Sequence, residues 1–475
     1  MFSPVHPQGG YPEMLLFVVA VAARVFGSQR QALLYLKRPG IWTALMTIYG
    51  SVVGDPGPYP TKPPSPRVVD AFVTRIGADP SRMEKLDQVF TWSAVRLAEA
   101  LGQFPDSDDA DYLIPRAEST VFGDGTYIKP FSAVHQITDR VTGDLITVGS
   151  RSKYGHPRIQ KSLTDSKLDG KNLMGVNHIT LGTWSHAGAV VLGTTQALGA
   201  EVDGARRLLL RVHDVLGTRM RHVIWDRVMT GWVNEWSFST MKTLVFNKSV
   251  ARGDSRGRAK HLLITQKAAE QLQATNQPLP LGTSLYKITN GWELVRGRTY
   301  LYGPPDGIDC AHQLWVDDGA FVDVAIDARG HQVKTETATA MSALAEQAPG
   351  GLYRLRTRWH LPCSRASGGS HEFETVWNPR ASNQDPITGA LHKALTALRP
   401  IPRADADRFC ETHGRRNTAE SLNSWMKGRL GRTGRAVHID VQVQAVDHVC
   451  LGLLVNVRTA HRAHQMAQRE ARLTY

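Results

Sequence analysis

Three carboxylates stand out for the elements that carry them. Asp124 lies in the segment Gly123-Asp124-Gly125-Thr126, Asp226 ends the apolar run His222-Val223-Ile224-Trp225, and Glu420 lies far downstream in a helical segment. The pattern strand, strand, strand, helix, strand, terminal helix sets an Asp on the first strand beside an Asp ending a later one, with a helix acid facing both. Carboxylates gathered this way repel unless divalent cations sit between them. Two Mg²⁺ ions in such a cluster clamp a phosphodiester, activating the attacking oxygen and stabilising the leaving one.

Around Glu420 the polar residues His413, Arg416, Glu420, Asn423 and Lys427 recur at spacings of 3, 4, 3 and 4. At 3.6 residues per turn they form one stripe, provided that the helix starts before His413. Ala419, Leu422 and Met426 form an adjacent apolar stripe. A second reading of the same residues makes Asn417 the helix cap and Glu420 the closing member of a capping box, with His413 and Arg416 ahead of the helix.

The elements that position these residues follow from periodicity and breakers. Residues 13–50 read as two helices, with Ser28 capping the second. Asp55 to Pro66 holds six prolines and reads as a stiff linker. Residues 67–104 return to helical spacing, and the acidic loop from Asp106 to Asp111 reads as solvated. From Ser119 strands take over: around Val121–Ile128, at Val176–Thr183, at Ala189–Thr195, then a helix at Gly204–Leu216, the His222–Trp225 strand and another at Thr243–Phe246. A β-rich block spans residues 283–378, with hairpin turns at Asp317-Asp318-Gly319 and Asp327 to Gly330. Helices are expected at Lys393–Leu398, Thr418–Leu430 and Val443–Ala467.

Composition limits the function classes. The chain has 475 residues, 42% hydrophobic and 21% charged, a profile of globular units and not of disorder. The longest charge-free apolar run near the start, Met14 to Ala23, is about half of what a membrane-spanning helix needs. Four cysteines (Cys310, Cys363, Cys410, Cys450) without a C-x-x-C exclude a disulfide scaffold and point to a reducing cytosol. The net charge is +13. Basic residues cluster at 248–261, at 413–435 (Arg415, Arg416, Lys427, Arg429, Arg432, Arg435) and in the last twenty residues, a distribution suited to a polyanion. Cys310, His312, His360 and Cys363 supply zinc-type ligands at irregular spacing, weaker than a zinc motif.

Gly123-Asp124-Gly125-Thr126, Ile224-Trp225-Asp226-Arg227 and Arg415 to Lys427 together resemble the DDE-type transposases of bacterial insertion sequences. One subgroup of these carries Tyr, two residues, Arg, three residues, Glu, six residues, Lys. Here Arg416, Glu420 and Lys427 keep that spacing, and His413 stands in the Tyr place. The resemblance implies an α/β fold: a ribonuclease-H-like mixed-sheet core (116–250 and 401–475), a β-rich insertion (251–400), an N-terminal helical region (1–54), the linker (55–66) and a helical, DNA-end-binding candidate (67–115). It implies that Asp124, Asp226 and Glu420 bind two Mg²⁺ or Mn²⁺ and cut DNA at the element ends, and that the freed 3′ hydroxyl then attacks target DNA or the opposite strand. It further implies that Arg416, Lys427, His413, Asn423 and Arg415 contact DNA, that Trp225, Trp232 or Trp236 stacks on a displaced base, and that a cytoplasmic dimer works on paired ends. A non-catalytic remnant and another nuclease of the same core are the alternatives.

Overall fold

The computed structural model describes residues 10–26, 28–54, 60–106, 111–128, 134–138, 145–149, 176–197, 201–225, 229, 232–247, 261–265, 299–303, 311–317, 320–326, 332–348, 350–363, 369–376, 401, 410, 416–432, 435–436 and 441–473. The chain is mixed α/β, with helices and a mixed parallel and antiparallel sheet. It divides into two compact units. One comprises Met1–Pro105, Val121–Leu216 and Asn417–Tyr475; the other comprises Asp106–Thr120 and Gly217–Arg416.

The first unit opens with α1 (Glu13–Val25), α2 (Gln29–Leu36) and α3 (Ile41–Val53). Three helices stand where the periodicity of residues 13–50 suggests two, because Pro39-Gly40 interrupts the run and Gly40 takes φ +78°. Ser28 caps α2, its Oγ accepting from Gln31 N at 3.1 Å. The proline segment ends one residue earlier than its composition suggests: Pro66 is the first residue of α4 (Pro66–Ala78), where a missing N–H costs nothing. Asp79 then caps α5 (Pro80–Ala100), accepting from Ser81 N and Arg82 N.

β1 (Thr120–Ile128), β4 (Val176–Ser185) and β5 (Gly188–Ala197) pair antiparallel in the order β5-β4-β1, with Asp124 opposite Thr180 and Thr126 opposite His178. A separate hairpin pairs β2 (Val134–Thr138) with β3 (Leu145–Gly149), two strands that the sequence pattern did not mark. The strands β4 and β5 are buried almost throughout, as a sheet covered on both faces requires. α6 (Glu201–Leu216) packs on β4 and β5 through Ala205, Leu208, Leu209 and Val212. α8 (Arg416–Leu430) and the 33-residue α9 (Val441–Leu473) complete the unit, α9 lying on β5, α4 and α1.

Ion pairs lock the helices of this unit. Glu13 of α1 is fully buried and paired with Arg75 of α4 and, at 3.3 Å, with Arg82 of α5. Arg24 pairs with Asp447 of α9. Arg429 of α8 donates to the carbonyls of Arg24 (2.9 Å) and Val25 (3.1 Å), covering the electronegative end of α1.

In the second unit, β6 (His222–Trp225) and β7 (Leu244–Asn247) run parallel, with α7 (Trp232–Met241) between them in sequence. Arg221 N donates to Ser119 O (3.1 Å), and Leu244 N donates to Arg221 O (2.8 Å). Ser119 is thereby tied through Arg221 to the start of β7. A mixed sheet follows, in the order β12 (Gln332–Thr337), β11 (Ala320–Ile326), β10 (Ala311–Asp317), β8 (His261–Thr265), β9 (Thr299–Gly303); only β8 and β9 are parallel. A third sheet joins β13 (Thr339–Ala348), β14 (Leu352–Cys363) and β15 (Gly369–Val376). The rings of Phe321, Trp359 and Phe373 pack edge to face in the core of this unit.

Two expectations change here. Asp111, read as a solvated loop acid, accepts from Leu113 N (2.9 Å) and Ala343 N (3.0 Å) and so ties its loop to β13. The alanine-rich stretch Thr339–Ala348, which the pattern left unassigned, is a strand. The helix expected at Lys393–Leu398 lies outside the described residues.

Candidate functional site

The first unit brings the first strand and the downstream helix together. Asn423 Nδ2 of α8 donates to Asp124 Oδ2 of β1 at 2.8 Å, a contact between residues 299 apart in sequence. Asn423 is buried, and Asp124 is half-buried. An amide donor on one carboxylate oxygen sets its orientation. Glu420 is three residues before Asn423 on α8, hence one turn away on the same side, and it is exposed. Lys427, one turn beyond Asn423, is exposed too. The middle of the stripe therefore touches the sheet while its acid and lysine reach solvent on either side. Asn423, expected among the DNA-contacting residues, spends its amide on Asp124.

The helix start bears on the two readings of this segment. Arg416 is already helical, so Asn417 lies inside α8 and is not its cap; its carbonyl accepts from Ser421 Oγ at 2.8 Å. Arg416, Glu420, Asn423 and Lys427 thus share one helix, and whether that helix reaches back to His413 lies outside the described residues. His413, Arg415 and Asp226 lie outside the described residues; β6 ends at Trp225, one residue short of Asp226.

Beneath Asp124 lies a polar network that the sequence reading missed. Residues directly opposite across an antiparallel pair share a face. Asp124, Thr126, His178 and Thr180 therefore lie on one side of the β1–β4 pair. Thr180 Oγ1 meets His448 Nε2 of α9 at 3.0 Å and contacts Met426 Sδ of α8 at 3.5 Å. His178 Nε2 is 3.3 Å from Gln444 Oε1 of α9. The two imidazoles meet edge to face with centroids 5.1 Å apart. Burial pushes His178 down to about 4, only partly opposed by its bond to Gln444. Burial, helped by the neighbouring His178, likewise holds His448 well below the usual imidazole range. Both rings are neutral near pH 7. The signal was present in the chain: polar residues at i, i+2 inside an apolar strand, and Gln444 with His448 at i, i+4 on a helix.

Trp225 is fully buried and packs as a core residue, so it is not a surface for stacking; Trp236 is half-buried. Of the zinc-type set, Cys310 lies outside the described residues, His360 is half-buried and Cys363 is buried at the end of β14. Among the described residues, no three His, Cys, Asp or Glu side chains converge as ligands. The donor chemistry at Asp124 and Glu420 is nonetheless the hard-oxygen kind that suits Mg²⁺ or Mn²⁺, with one carboxylate already oriented by an amide. No protein-family model matches the chain, and no curated protein matches it.

Proposed function

We propose that this protein is a metal-dependent DNA transposase with a ribonuclease-H-like core. The observation that carries the reading is the Asn423–Asp124 hydrogen bond, which seats Asn423, one turn from Glu420 on α8, against the strand that bears Asp124. Asp124, Glu420 and the sequence-assigned Asp226 would hold two Mg²⁺ or Mn²⁺ ions, which supply nucleophile activation and leaving-group stabilisation at a phosphodiester. Asn423 orients the Asp124 carboxylate. The exposed Lys427, with Arg415, Arg416 and His413, would take the phosphates beside the cleaved bond, and the basic balance of the chain (+13) suits a DNA substrate. Among the described residues no helix is long and apolar enough to cross a membrane. A cytoplasmic enzyme acting as a dimer on paired element ends completes the reading.

The test is Glu420→Gln, which removes one charge and keeps the shape. The neutral amide is a poor ligand for a hard cation. End-nicking of a plasmid carrying the flanking inverted repeats, with Mg²⁺ or Mn²⁺, is expected to fall on the order of a thousandfold or more. Gel-shift binding to the same ends is expected to persist. Nicking by the Gln variant at the wild-type rate would remove Glu420 from the acid set. A wild-type protein that binds the ends specifically and never cuts them would identify a non-catalytic remnant.

A further inference from the structure

A second site lies on the same unit, where the β4–β5 hairpin meets α8 and α9. Trp184, Leu422, Trp425, Val455, Arg458 and Arg462 line an open cleft of about 150 Å³. Trp184 is 53% exposed, unusual for the largest apolar side chain, and Arg458 and Arg462 are exposed beside it. The guanidiniums of Arg429 and Arg458 lie 5.4 and 5.8 Å from the Trp425 ring centroid, within cation–π range. Trp425 thus holds cations in place, and Trp184 is the ring left to stack.

The wall carrying Trp184 is held by hydrogen bonds from α9 and within its turn. Thr459 Oγ1 of α9 donates to Ala189 O at 2.6 Å, directly across the strand pair from Trp184. Asn456, one turn earlier on α9, both donates to Val191 O (2.9 Å) and accepts from Val191 N (2.7 Å), closing the edge of β5. Ser185 Oγ bonds within the turn to Gly188 O and Ala187 N. Gly188 sits at φ +134°, where a side chain would be strained.

We propose that this cleft binds single-stranded DNA, with one unstacked base lying on Trp184 and the flanking phosphates on Arg458 and Arg462. Flat aromatic faces interleaved with guanidiniums match a chain that alternates bases and phosphates, and every base has a face to stack. A duplex keeps those faces inside and offers the cleft phosphates alone. The lining side chains other than Thr459 are apolar or donor-only, which suits phosphate oxygens, and the Thr459 proton is already spent on Ala189. No lining side chain rewards the proton of a ribose 2′-hydroxyl, so RNA gains nothing over DNA here, and the proposal commits to DNA. The site stands on its own geometry and does not depend on the cleavage reading.

The experiment is fluorescence anisotropy of the full-length protein with a labelled mixed-sequence 12-nucleotide DNA, at several salt concentrations, alongside thermal unfolding of each variant. Trp184→Ala should unfold near the wild-type temperature and bind roughly tenfold more weakly, the scale of one lost stacked base. Trp184→Phe should keep most of the affinity, since a ring remains. Arg462→Gln should lower the slope of log affinity against log salt by about 0.7, one single-strand phosphate contact. Wild-type affinity in Trp184→Ala, or an equal loss on a 12-base-pair duplex, would overturn the proposal. So would an RNA of the same sequence bound more tightly than the DNA. Glu420→Gln separates this site from the cleavage reading: it should bind the single strand like wild type, and its nicking result leaves the cleft assignment untouched.

Discussion

Asn423 is the residue on which the candidate site turns. Its amide reaches a carboxylate on another element, and the pair is largely out of solvent. A hydrogen bond to a charged partner contributes about 1.5–3 kcal/mol when buried, and the half-exposed Asp124 puts this one at or below the lower end. Asn423→Ala is therefore expected to lower stability by about 1 kcal/mol, read from denaturant midpoints. Its larger effect should fall on chemistry: nicking should drop by ten- to a hundredfold, the scale seen when the orienting partner of a metal ligand is lost. Binding to the ends should change little, because the contact faces inward. A loss of binding that matches the loss of nicking would make Asn423 a DNA contact. Lys427 is of a different kind: it is exposed, and its substitution should leave folding nearly unchanged.

At the scale of elements, the first unit is built around α9. It lies on β5, α4 and α1, and the approach to α4 is very close. Gly77 of α4 leaves no room for a side chain: a Cβ there would lie 2.8 Å from the Gln442 carbonyl oxygen and 2.9 Å from its carbon. Those atoms are backbone and have no rotamer to turn away. By helix propensity alone, Gly77→Ala should stabilise α4 by up to about 1 kcal/mol. The expected outcome is the reverse, a loss of about 1–3 kcal/mol as α4 and the start of α9 are forced apart. Thermal unfolding of the single variant decides between the two. Gln444 and His448 lie within two turns of this contact, so a displaced α9 should also disturb the network beneath Asp124. Trp92, exposed on α5, offers a matched surface control in the same unit.

Whole-molecule stability should carry the mark of the buried histidine pair. An unfolded chain protonates histidine near pH 6.5, and the folded state keeps His178 neutral down to about 4. Between those values the unfolded state binds the extra protons, so stability rises with pH. The neutral pair costs nothing above pH 6.5, and stability drains away as pH falls from 6.5 towards 4, by about 3 kcal/mol at most for His178. Asp87 works in the opposite sense. Burial raises its carboxyl to about 6 despite the Arg211 guanidinium at 3.0 Å, so its contribution weakens as pH rises from about 4 to 6. The double variant His178→Asn, His448→Gln isolates the histidine part. Its unfolding temperature should vary less between pH 4 and 6.5 than that of wild type. Parallel curves for the two proteins would show that the pair does not titrate on unfolding.

Much of the secondary structure could be read from the chain, because periodicity is local. Continuous apolar runs placed β4, β5 and β6; amphipathic spacing placed α6 and α9; Ser28 marked a helix start by the ability of a short polar side chain to accept backbone N–H groups. Asp124, Glu420 and Asn423 could be singled out by type and spacing alone. What Asn423 does could not. Its partner is 299 residues away, and only the packing of α8 on β1 decides that its amide meets a carboxylate. The strand Thr339–Ala348 is the same lesson in backbone form. Its alanines favour a helix locally, and pairing with Leu352 to His360 of β14, with Glu346 ion-paired to Arg354 and Arg356, overrides them. For the His178–His448 contact the chain held the polar residues but not their pairing, and the same is true of the Trp184 cleft. Each joins side chains from strands and helices far apart in sequence, and which buried faces meet is set by the global fit of the layers, a property that no local window of residues contains.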